Sequence, residues 1–140
     1  MTDFGLMRRY PWASVDSSAW TQIGAFGGVL VPPFRGGRYV FDEDPYQIKM
    51  SLDSPAAGEA GKHYLTLTTL ERQLVEGWLR HLGIPLGTAV GGKVTAHGVL
   101  TRHSERKVAN MLYYEAFAAS LPPYPRAWTP PPDRKGLGLL

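Results

Sequence analysis

Four histidines, His63, His81, His97 and His103, are the side chains of this sequence best suited to proton transfer, because imidazole changes charge near neutral pH. His97 and His103 bracket a stretch that reads as a strand, Gly98 between them permits close backbone approach, and Glu105 follows at the start of the next helical pattern. A carboxylate so placed could fix an imidazole tautomer, which makes His97, His103 and Glu105 the one candidate acid–base group. Two half-exposed histidines at strand ends are the simpler account of the same residues. Zinc would require three or four converging ligands, often paired at short helical spacing, and no such pair occurs. No serine sits in G-x-S-x-G, so a hydrolase triad has no anchor. Cysteine is absent, which removes disulfides, thiolate metal sites and a cysteine nucleophile together.

Two further groups invite a ligand. Asp42-Glu43-Asp44 offers hard oxygen ligands to a divalent cation, but three successive carboxylates before Pro45 read more simply as a solvated turn. Residues 87–94, GTAVGGKV, carry Gly87, Gly92 and Lys93 of a phosphate loop, yet Val94 stands where the magnesium-binding hydroxyl belongs, and Lys93 leads into a strand rather than a helix. No metal and no cofactor is therefore expected, and the protein is read as non-enzymatic.

Arg102, Arg106 and Lys107 gather at the start of the last helical pattern, where unpaired backbone amides already carry partial positive charge. Cations are misplaced there unless an anion lies against them, so the three are a candidate partner-facing basic patch. On that reading, reversing Arg106 to Glu leaves the isolated domain at least as stable. The net charge of +3 and pI near 9.3 permit nucleic-acid binding without requiring it.

The elements that must carry these residues follow from period and punctuation. Residues 26–31 and 38–41 read as strands, and 46–52 alternates most cleanly, with Tyr46, Ile48, Met50 and Leu52 on one face. Residues 53–62 are a flexible loop by composition and 63–67 a further strand. Over 69–82, Leu70, Leu74, Val75, Trp78, Leu79 and Leu82 recur at helical spacing behind a Thr68/Glu71 capping box, and Gly83 closes the helix. Residues 87–92 read as a loop, 93–100 as a strand, and 104–119 as a second helix capped by Ser104. The fold class is α+β, a small and mainly antiparallel sheet packed by two helices.

The ends differ in kind. Residues 1–25 lack a sustained period and read as an N-terminal arm with a turn of helix after Ser17-Ser18; residues 26–120 form the compact domain. Residues 121–140 hold six of the twelve prolines and read as an extended C-terminal arm. Tyr124, Trp128, Leu137, Leu139 and Leu140 make that arm too apolar to serve only as a solvated tail, so they are candidate partner-binding residues. No apolar run approaches the roughly 20 residues of a membrane span and no secretory-signal layout is present, so no membrane partner is expected and the cytoplasm is the expected compartment. The leading function is a structural subunit that binds other protein subunits, in homo- or hetero-oligomers, through its arms. Its concrete form is a phage-like virion component of neck, tail-terminator or baseplate type, located in host cytoplasm and virion. A small enzyme or ligand-binding domain built on His97, His103 and Glu105, and a basic nucleic-acid-binding protein, are the alternatives.

Overall fold

A computed structural model describes residues 3–9, 18–53 and 62–122. In chain order the elements are α1 (Phe4–Arg9), α2 (Ala19–Ala25), β1 (Gly28–Val31), β2 (Phe34–Arg35), β3 (Arg38–Tyr39), β4 (Tyr46–Lys49), a 3₁₀ turn (Tyr64–Thr66), α3 (Thr69–Leu82), β5 (Thr88–Val90), β6 (Lys93–Ala96) and α4 (His103–Ser120). The architecture is α+β, with helices packed around two-stranded antiparallel ladders, β1 with β4, β2 with β3, and β5 with β6.

The third helix forms as its sequence dictates. The Thr68 hydroxyl accepts from the Glu71 amide at 3.3 Å and the Glu71 carboxylate accepts from the Thr68 amide at 3.2 Å, so two orphan donors of the first turn are satisfied reciprocally. Gly83 ends it with φ +73°. Val75, Trp78 and Leu79 are buried, but Leu70 is 74% exposed and Leu74 39%, so the buried stripe is narrower than the apolar pattern. Trp78, 1% exposed, stacks on His81 and meets Tyr39 and Phe41 edge-on, and Phe41 in turn lies against Tyr113.

The fourth helix is the axis of the core. Arg106, Ala109, Asn110, Tyr113 and Phe117 fall on one stripe and are buried. Its N-cap position is Arg102, whose side chain makes no capping hydrogen bond; Ser104, the expected cap, already lies inside the helix. Of the stretch 1–25 expected as an arm, the described residues form two short helices seated on this core. Met7 is buried, Phe4 packs on Tyr113 and Phe117 with ring centroids at 5.6 and 5.0 Å, and the expected turn of helix follows Ser18 as α2.

Strand β1 is buried throughout and pairs with β4 in the register Val29↔Ile48 and Val31↔Tyr46. The alternating stretch 46–52 leaves the ladder after Lys49, with Met50 turned into the core. Residues 63–67 are not a strand. His63 makes one parallel bridge to Lys49, and the chain then winds into the 3₁₀ turn because local side chains capture its backbone: the His63 Nδ1 accepts from the Leu65 amide at 3.1 Å and the Thr66 hydroxyl donates to the His63 carbonyl at 2.7 Å. Most of the loop expected at 53–62, residues 54–61, lies outside the described residues.

The stretch 87–92, expected as a loop, contains β5, and β6 stops at Ala96 rather than running to residue 100. The two strands are joined by Gly91 and Gly92 at φ +55° and +78°, the pair of left-handed positions that a two-residue hairpin turn needs. At the base of this hairpin Gly87 and Gly98 touch backbone to backbone; a Cβ on Gly98 would sit 2.3 Å from the Gly87 nitrogen.

Two substitutions test the core. Trp78→Ala should lower unfolding free energy by about 3–5 kcal/mol. Among the described residues the buried Tyr113 hydroxyl has no hydrogen-bond partner, so Tyr113→Phe should be neutral or stabilising by up to about 1 kcal/mol. Urea denaturation of both variants measures the contrast; a large loss in Tyr113→Phe would show that the hydroxyl is paired.

Candidate functional site

The expected basic patch divides when its residues are placed. Arg106 is 6% exposed, and its guanidinium donates to the carbonyls of Gly24 and Val99, both at 2.9 Å. It joins the end of α2 to the turn that precedes α4. Burial lowers its pKa, with the negative charge of Asp53 acting in the opposite direction. Arg102 is exposed, and Lys107 is half-buried with its stem against Gly24, where a Cβ would lie 2.8 Å from the Lys107 Cγ. The three residues do not form one exposed surface.

The acid–base trio is likewise not assembled. His97 and His103 are exposed and Glu105 half-buried, and no hydrogen bond or ion pair among the described residues links them. Among the described residues no group of three or more His, Asp or Glu converges on a metal site. The Asp42-Glu43-Asp44 turn is held by arginines instead. Glu43 takes a two-pronged bond from Arg35, which holds its carboxyl below the usual range, and Asp44 accepts from Arg8 at 3.1 Å. Arg8 also donates to the Phe41 and Glu43 carbonyls, each at 2.8 Å, tying α1 to this turn.

Concave surface lies elsewhere. A cleft of about 410 Å³ is lined by Arg8, Arg38, Tyr39, Phe41 and Asp42 on one side and by Ser120, Leu121 and Pro122 on the other, where the C-terminal segment departs. Tyr124, Trp128, Leu137, Leu139 and Leu140 lie outside the described residues. A second groove, about 300 Å³ and mainly apolar, runs between α3 and the outer face of the β1/β4 ladder, with walls of Val31, Ile48, Leu67, Leu74 and Val75 and with Glu71 and Tyr46 at its rim. Leu70, one turn before Leu74 on α3, extends the apolar surface beside it.

The β5–β6 hairpin supplies a convex counterpart. Every residue of its strands is exposed except half-buried Ala89. Cross-strand pairing sets Val90 opposite Lys93 and Ala89 opposite Val94, and the hydroxyls of Thr88 and Thr95 meet at 2.6 Å. Val90 is 71% exposed. Sequence reasoning missed this hairpin although its signal was present, since Gly-Gly between two β-branched runs is a hairpin signature. It missed the buried role of Arg106 as well, which the helical spacing of Arg106, Asn110, Tyr113 and Phe117 carries.

No protein-family model matches this chain, and no curated protein or solved structure matches it either.

Tyr64, 6% exposed, is a further perturbed group. Burial first, then its hydrogen bond to the Glu76 carboxylate, pushes its pKa up to about 12. The unfolded value is about 10. A raised acid pKa means that the stabilisation is complete below pH about 10 and is lost as pH rises toward 12. In Tyr64→Phe the denaturation midpoint should fall less over that window than in the parent chain. For Arg106→Glu, two buried carbonyls lose their donor and a carboxylate takes its place, so stability should drop by about 2–4 kcal/mol or more. Arg106→Lys should recover only part of this, because an ammonium lacks the forked geometry that spans both carbonyls. An unchanged urea midpoint in Arg106→Glu would place the side chain at the surface.

Proposed function

We propose that this chain is a non-enzymatic assembly subunit that binds neighbouring protein subunits through apolar surfaces and its Pro-rich C-terminal segment. The observation that carries the reading is the β5–β6 hairpin. A two-stranded hairpin in water is marginally stable alone, and this one packs chiefly strand on strand while offering Val90 and Val94 to solvent. Such an element gains its burial from another molecule. The apolar groove between α3 and β4 and the exposed Leu70 support the same reading, as do Tyr124, Trp128 and the terminal leucines in the sequence. Proline restricts the unfolded freedom of residues 122–132, so docking that segment costs less entropy than docking an ordinary coil. The concrete form we favour is a virion component of phage type, on the small size, the absent cysteine and the apolar ends.

Among the described residues no helix is long and apolar enough to cross a membrane. Among the described residues His97, His103 and Glu105 share no hydrogen bond or ion pair to support the enzyme reading, and the nucleic-acid reading loses Arg106 from its patch.

The test is the native mass of the full chain, by light scattering, against a chain ending at Pro122. The shorter chain should melt within a few degrees of the parent and yet fail to reach the parent's native mass, and Trp128→Ala should reproduce much of that failure, since large aromatics dominate interfaces. Equal native masses would remove the C-terminal segment from the reading. Unfolding of the shorter chain would make the segment part of its own core.

A further inference from the structure

The hairpin and the groove carry opposite charges, Lys93 on the one and Glu71 on the other. Val90 and Lys93 are a directly opposed pair, so they project from the same face of the hairpin, an apolar knob beside a cation. The groove offers Leu74 and Val75 beside the Glu71 carboxylate, which stands one turn before Leu74 on the same helix. The hairpin is also held at a fixed angle. Its base is clamped where Gly87 and Gly98 touch and where the Val99 and Leu100 amides bond to the Pro85 and Leu86 carbonyls at 3.1 and 3.0 Å.

We infer that the groove receives the hairpin of a second copy of this chain, with Val90 packing against Leu74 and Ile48 and Lys93 meeting Glu71. The inference rests on the assembly reading and names its partner. Knob and groove are different surfaces, so the contact is heterologous: each copy keeps one free knob and one free groove, and association continues until a ring closes or a filament grows.

A complementation experiment tests this with the full-length chain, by sedimentation velocity over a concentration series. The parent should self-associate. Val90→Asp lacks the knob and Leu74→Asp lacks the groove, so each alone should remain a monomer, with self-association weakened tenfold or more. An equimolar mixture should form a species of two chain masses and nothing larger, because the one intact knob enters the one intact groove. Glu71→Lys serves as the groove variant if Leu74→Asp melts early, and Glu71→Lys combined with Lys93→Glu should restore the association that each loses singly.

Parent-like association of Val90→Asp, or a mixture that stays monomeric, overturns the inference. Association that survives both aspartate variants but disappears in the chain ending at Pro122 would give the contact to the C-terminal segment, leaving the assembly reading standing and this inference false. A parent chain that is monomeric at every concentration, yet enters a particle with other proteins, has the same effect.

Discussion

Two polar side chains one turn apart on α4 hold the fold together. Arg106 donates to Gly24 and Val99, and Asn110, fully buried, accepts from the Leu30 amide at 2.8 Å while donating to the Gly28 carbonyl at 3.1 Å and the Trp20 carbonyl at 3.3 Å. The residues Gly28 and Leu30 flank Val29, so one carboxamide bonds β1 in the pattern that the N–H and C=O of one residue of a parallel neighbouring strand would. This is why β1 can be buried with only one strand, β4, beside it. A buried strand edge without partners would cost the desolvation of each amide and carbonyl, and here the helix supplies those partners from a side chain. With every polar atom of Asn110 engaged, the link fixes the position of α4 along β1 as well as its distance.

How much could be read beforehand depends on how local each signal is. Helix α3 was legible at both ends, because a capping box and a terminal glycine act within a few residues and the apolar stripe needs no partner to be recognised. Its exposed Leu70 and Leu74 were not separable from the buried Val75 and Trp78, since exposure depends on what the rest of the chain brings. The His63 region misled because Tyr64 and Thr66 alternate with Leu65 and Leu67 as in a strand, while the deciding bonds run from the His63 ring to Leu65 and to the Ser51 carbonyl. Arg106 was read from its sequence neighbours, which are charged, and its true surroundings come from residues 24 and 99. The single sheet anticipated over residues 26–100 resolves into separate two-stranded pieces, for strand partners are not local information.

The basic character of the chain has a structural explanation that bears on its partners. Arg8, Arg35, Arg72 and Arg106 all donate to this chain's own carbonyls or carboxylates. Arg8 and Arg35 in particular neutralise the acidic turn, which would otherwise repel itself, and Arg8 also lies over the Phe117 ring. These four of the fifteen lysines and arginines are thereby engaged within the chain.

The bonds from Asn110 to β1 span 80 and 82 residues. During synthesis at about 5–20 residues per second, the strand therefore waits roughly 4–16 s for its second edge to be covered. Over that interval the nascent chain presents Val29, Leu30 and Val31 with open backbone groups, the features that lead strands of different chains to pair with one another. Exposure of that edge during synthesis is thus a route to misassembly that the final stability of the core does not govern.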